Sequence, residues 1–225
     1  GSVMLINGAT GVQIGTTLVG DTEDDYLGGS SVTALGNNNF VIASSWDDVN
    51  GVVNAGSVML INGATGVQIG TTLVGDTAFD FLGGASVTAL GNNNFVIAST
   101  GDDVNGVVNA GSVMLINGAT RAQIGTTIAG DTKDDYFGGG VTALGNNNFV
   151  IASNNADVNS VVNAGSVMLV NGATGAQIKT IAGDTAQDNL GLSGVTALGN
   201  NNFVISSLFD DDGVTTVDAG SVMLI

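Results

Sequence analysis

The sequence predicts an all-β protein, arranged as a β-propeller of four-stranded antiparallel blades from four repeats of about 55 residues. Three observations carry that expectation. Gly-Ser-Val-Met-Leu-Ile opens at Gly1 and returns at Gly56, Gly111, Gly165 (with Val170 in the last place) and Gly220. Short β-branched and apolar runs alternate with Gly, Asn and Asp, and no 3.6-residue periodicity appears. The 36 glycines among 225 residues would be costly inside helices.

In the first unit, residues 2–6 form a short apolar run. The following Asn7-Gly8 pair suits a tight hairpin, since both residues tolerate positive φ. Residues 12–19 (VQIGTTLV) carry Val, Ile and Thr and read as a second strand, antiparallel to the first. Residues 20–29 are a polar, glycine-bounded connection. Residues 31–35 (SVTAL) are the next strand, Gly36-Asn37-Asn38-Asn39 a tight turn, and residues 40–43 (FVIA) an almost wholly apolar strand. Residues 47–55 close the unit as a longer loop. Tight hairpins fold the chain back on its neighbour, which favours meandering blades over a β-solenoid, the alternative architecture.

The repeats make residues 1–225 a single repeat domain of units 1–55, 56–110, 111–164 and 165–219 with an extra strand at 220–225. Without an initiator Met or a signal-like segment, the expectation is a processed end or a window of a longer array. Closing a ring needs one terminal strand, and residues 2–6 and 221–225 both qualify, so one is surplus and available for strand donation or head-to-tail assembly. Units one and two differ only at Glu23/Ala78, Asp24/Phe79, Tyr26/Phe81, Ser30/Ala85, Ser45/Thr100 and Trp46/Gly101.

Composition narrows the partners. A net charge of −17, with only Arg121, Lys133 and Lys179 as cations, repels nucleic acid and anionic membrane surfaces. There is no His to serve as general base and no Cys to report on redox compartment. No apolar run approaches the length of a membrane helix, and the strands are shorter than the roughly 9–11 residues of a membrane barrel. High glycine with few charged residues suits a secreted or cell-surface repeat protein.

The residues also resemble the FG-GAP repeats of integrin-type propellers and related bacterial surface proteins. Leu27-Gly28, Leu82-Gly83, Phe137-Gly138 and Leu190-Gly191 stand where that family opens its inner strand. Ala43-Ser44, Ala98-Ser99 and Ala152-Ser153 stand at its Gly-Ala-Pro phrase, without the proline. Gly56-Ser57-Val58-Met59 with Asn62-Gly63-Ala64-Thr65-Gly66 matches its third motif. The resemblance implies a propeller fold and an adhesion role. The family's calcium loop is replaced by Gly-Asn-Asn-Asn, so that calcium site is not implied.

A four-stranded meander sends its two hairpins to one end and its two longer loops to the other, so the loop end collects all 20 acids, Asp212 included. Calcium takes six to eight oxygen ligands. The candidate ligands are Asp21, Asp25, Asp47, Asp48, Asp76, Asp80, Asp102, Asp103, Asp131 and Asp135. The competing reading is a set of solvated loops that keep a β protein soluble. Paired Asp could act as glycosidase acid and base, but acids recurring in every unit point to structure or multivalent binding. Phe40, Phe95, Phe149 and Phe203 recur as expected core residues, and Trp46 and Phe209 are the irregular aromatics that could mark a contact surface. The expected function is a non-enzymatic extracellular structural repeat that self-assembles into a bacterial surface appendage, filament, sheath or adhesin stalk. The alternative is a calcium-dependent ligand-binding or cell-adhesion module.

Overall fold

The computed structural model describes residues 1–211 and 218–225. Its strands fall into five sheets. Sheet one pairs β1 (Ser2–Ile6) with β2 (Gln13–Val19). Sheet two runs β3 (Ser31–Ala34), β4 (Phe40–Ser44), β5 (Ser57–Ile61) and β6 (Leu73–Val74) in spatial order. Sheet three repeats this with β7 (Ser86–Ala89), β8 (Phe95–Ser99), β9 (Ser112–Ile116) and β10 (Gln123–Ala129). Sheet four uses β11 (Gly140–Ala143), β12 (Phe149–Ser153), β13 (Ser166–Val170) and β14 (Gln177–Ala182). Sheet five contains β15 (Val195–Ala197), β16 (Phe203–Ser207) and β17 (Ser221–Leu224). Among the described residues, all neighbours within the sheets are antiparallel, unlike the parallel rungs of a solenoid, and no sheet closes into a barrel.

Each complete sheet joins the last two strands of one sequence unit to the first two of the next. Both copies competing for one slot are used separately: β1 pairs with β2, and β17 with β16. The period-two pleat gives each sheet two different apolar faces. In sheet two, Val41 lies opposite Leu60 and Ala43 opposite Val58 on one face, while Phe40 opposes Ile61 and Ile42 opposes Met59 on the other.

Stacking these unlike faces builds the core. Val41, Ala43, Val58 and Leu60 pack against Phe95, Ile97, Met114 and Ile116 of sheet three. The same junction recurs between sheets three and four and between sheets four and five, and Val3 and Leu18 of sheet one cover Ile42 and Ile61. Among the described residues, no core cluster joins sheets one and five. Fully burying one such side chain contributes about 1.5–3 kcal/mol. The Val/Leu face of sheet five is uncovered, with Val222 at 72% and Leu224 at 66% exposure. At the other extreme, Met4 and Ile6 of sheet one are 59% and 48% exposed.

Polar ties reinforce the stack. The hydroxyls of Thr33, Thr88 and Thr142 donate to the carbonyls of Val87, Val141 and Val195 in the first strand of the neighbouring sheet. Asn37 and Asn39 donate to Gly118 O, and Asn92 and Asn94 to Gly172 O, linking the turns at 36–39 and 91–94 to the next sheet's hairpin. One departure from strict repetition has a local cause. Residues 67–74 repeat residues 12–19 letter for letter, yet β6 spans only Leu73–Val74. There the Arg121 side chain lies against Gly70 and its guanidinium donates to Thr72 O at 2.9 Å. Every other unit has Gly at the Arg121 position.

Candidate functional site at the acidic loops

Each sheet-to-sheet connection carries Asp-Thr-x-x-Asp. The second Asp is not solvated: Asp25, Asp80, Asp135 and Asp188 are all buried. The amides of Thr22, Thr77, Thr132 and Thr185 donate to them at 2.6, 2.7, 2.9 and 2.8 Å, and the Thr hydroxyls donate to the other carboxylate oxygen. Asp157 N adds a bond to Asp135 at 3.2 Å, tying the connection to the long loop of the neighbouring sheet. Burial pushes the Asp25 carboxyl up, but bonds from the Thr22 hydroxyl and amide and the Asp48 and Asp21 amides hold it below its ordinary value.

Residues 47–55, one longer loop by sequence, contain a second small hairpin. Val49 and Val52 bridge across Asn50-Gly51, whose φ values of 54° and 83° are those a two-residue turn requires. The Val-Asn-Gly-Val signal was present in the sequence. Asp48, Asp103 and Asp157 accept the amides of Asn54, Asn109 and Asn163 at 2.7, 2.7 and 2.8 Å, which fixes the exit of this loop. Its last residues then bind the following connection, with Phe81 N donating to Asn54 O and Leu82 N to Ala55 O.

Among the described residues, a third carboxylate completes a trio in three places. Asp21, Asp25 and Asp47 bring one oxygen each within 4.8 Å of one another, as do Asp76, Asp80 and Asp102, and Asp184, Asp188 and Asp210. Six of the ten candidate ligands thus meet in two trios. Asp48 and Asp103 cap their own loops, and Asp131 and Asp135 lack a third partner because Ala156 stands at the Asp47 position. The third trio lies outside the candidate set, although its Gly-Asp-Thr-x-x-Asp spacing repeats the earlier ones. Asp212 lies outside the described residues.

Burial raises the Asp47 carboxyl above its ordinary value; a Ser57 bond opposes this, and the charges of Asp25 and Asp21 add to it. Asp102 is raised in the same way by burial, against a Ser112 bond, with Asp80, Asp76 and Asp103 adding. Asp47 Oδ1 is buried without a hydrogen-bond partner. Such a trio lowers its energy by holding a proton or a cation. Phe209, next to Asp210 in sequence, is exposed, and Trp46 packs edge-on against Phe81.

Residues 34–84, 89–136 and 143–191 match the family model described as Repeat of unknown function (DUF5650), together more than half of the chain. No curated protein matches it. The match corrects the FG-GAP resemblance, for no FG-GAP model is matched. That resemblance rests on short Leu-Gly, Ala-Ser and Gly-Ser-Val phrases, and strand and turn residues of this kind are not specific to one family. The matched frame also differs from units 1–55 and 56–110: residues 34–84 run from the end of β3 through β4, β5 and β6 into the next connection.

Proposed function

The chain belongs to the DUF5650 family, a repeat whose description assigns no activity, and from that premise we propose that it is a non-enzymatic structural repeat protein of the cell exterior. Its sheets act as successive blades of an open propeller arc, and copies associate head to tail into a surface appendage, filament or sheath. The succession of contacts β3 to β7, β7 to β11 and β11 to β15 along the innermost strands supports the blade arrangement. High glycine and a strongly acidic composition support the exterior location.

One observation carries the association. Val222 and Leu224 are exposed, whereas their equivalents Val58, Leu60, Val113, Leu115 and Val167 are buried under the Phe/Ile/Met face of a neighbouring sheet. The chain exposes the matching half, Met4 and Ile6, on sheet one. A second copy, or a further repeat of the same array, would offer the Met/Ile part of the surface that each internal Val/Leu face packs against. The test is particle size by light scattering and electron microscopy for the unaltered chain and for Val222→Asp/Leu224→Asp. Assembled particles that become single chains in the variant are expected; the same size for both overturns the head-to-tail reading.

A second reading is supported by the buried, unpartnered Asp47 Oδ1 within a carboxylate trio. In it, the acidic loops hold calcium and stiffen a binding or adhesion module.

A further inference from the structure

The first two units are identical at all but six positions, spread over residues 23–46 of unit one. The fold brings all six together. Glu23, Asp24, Tyr26, Ser30, Ser45 and Trp46 line a single cavity of about 920 Å³ on the acidic loop end. Scatter over a unit has no reason to converge on one cavity, so its chemistry is what distinguishes unit one from unit two. At the two left-handed positions of this connection the backbone is kept: Asp24 and Phe79 have φ of 66° and 68°, and Tyr26 and Phe81 have 47° and 51°.

Those side chains define a ligand class. Trp46 is 53% exposed, and its indole is steadied by Phe81 in an edge contact with ring centroids 5.3 Å apart. Tyr26 is also exposed, and its hydroxyl donates to Asp24 at 3.1 Å. Ser30 and Ser45 bond one another at 2.8 Å in the wall. Glu23, Asp24 and Asp48 put three carboxylates around the aromatic rings with no basic residue in the lining. The chain's three cations are elsewhere: Arg121 on Thr72, Lys133 beside Asp134, and Lys179 in β14. Aromatic faces beside uncompensated carboxylates favour a cation, which the indole attracts through its ring quadrupole. The cavity volume lies within the roughly 300–1,000 Å³ of small-molecule sites.

We propose that this cavity binds an organic cation, an ammonium or guanidinium group against Trp46 and Tyr26, with Glu23, Asp24 and Asp48 supplying the counter-charge. Unit two lacks this lining: Ala78, Phe79, Phe81, Ala85, Thr100 and Gly101 provide neither the Glu23 and Asp24 carboxylates nor the indole, and only Asp103 repeats the Asp48 carboxylate. The site requires no assembly, so it stands apart from the proposed structural role.

Trp46 is the sole tryptophan, so its emission reports directly on the site. The experiment titrates tetramethylammonium and, separately, an N-acetyl arginine tripeptide amide at about 0.15 M salt, where exposed charges are screened beyond roughly 8 Å. A Leu224→Asp background keeps assembly out of the measurement. The expected result is a saturable change in emission that weakens at least tenfold in Glu23→Ala/Asp24→Phe. Those residues occur in unit two, so the fold accommodates them, and circular dichroism verifies it. Trp46→Gly, followed by calorimetry, is expected to lose the binding heat. Saturation by both probes assigns the cation head group as ligand, and saturation by the tripeptide alone assigns a basic peptide side chain. No saturation by either probe, equal affinity in Glu23→Ala/Asp24→Phe, or equal binding of a citrulline tripeptide or a neutral oligosaccharide overturns the proposal.

Discussion

Asn39 Nδ2 donates to the carbonyl oxygen of Gly118 at 2.9 Å, across 79 residues of sequence, so the turn of one sheet holds the hairpin of the next. Asn37 donates to the same oxygen at 3.2 Å. A net intramolecular hydrogen bond contributes about 0.5–1.5 kcal/mol. Asn39→Ala is therefore expected to destabilise by no more than that, because Asn37 still satisfies the carbonyl. Asn37→Ala/Asn39→Ala is expected to cost more than twice the single change, as read from urea midpoints at constant slope.

Gly8 and Gly118 occupy the same place in the same phrase, Ile-Asn-Gly-Ala-Thr, yet their surroundings differ. A Cβ on Gly118 would fall inside contact distance of the Asn93 carbonyl oxygen, while one on Gly8 has nothing within 4 Å. Gly118→Ala is expected to cost about 1–3 kcal/mol, as overpacking does. Gly8→Ala should stay within about 0.5 kcal/mol of the unaltered chain. Equal effects in chemical denaturation would contradict this packing.

The acidic trios predict an unusual pH response. Asp102 is raised by burial, so the folded chain binds that proton more tightly than the unfolded chain, whose reference value is 3.8. Its penalty is complete above the folded pKa and is relieved as pH falls through that value towards 3.8. Asp25 is held low and acts oppositely: its contribution is present above the unfolded value and lost as pH falls through the folded pKa. With a chelator present, Asp102→Asn is expected to raise Tm near neutral pH, with the gain shrinking as the solution is acidified. Asn keeps an acceptor for the Ser112 hydroxyl, which now donates to Asp102.

If the trios hold calcium, the ion must raise Tm. A ligand at a hundredfold its Kd contributes about 2.7 kcal/mol per site. Asp21→Asn, Asp76→Asn and Asp184→Asn should each remove one bound ion in calorimetric stoichiometry, and Ala156→Asp should add one. No heat and no Tm shift on adding calcium would remove the metal reading.

The strand pattern was largely legible because apolar runs end abruptly at Asn-Gly or Gly-Asn-Asn-Asn. The expected strand at residues 40–43 is Phe40–Ser44, and that at 12–19 begins one residue later at Gln13. β6 was not legible, since its seven-residue twin β2 has the same sequence; its shortening accompanies Arg121, 49 residues from the carbonyl it binds. The acids were legible as a loop-end population but not as individuals. Asp25 is buried by a local Thr22 turn, whereas Asp47 meets it only when two connections pack together. The six differences between units one and two were visible as letters, and only the folded connections make them neighbours.

The strands carry none of those six differences; Ser30 and Ser45 stop one residue short of β3 and one beyond β4. Recognition can therefore be rewritten without touching the frame that spaces it. In a tandem array, each copy can hold a pocket of different specificity at a constant pitch, and a single duplication followed by a few loop substitutions adds a new one.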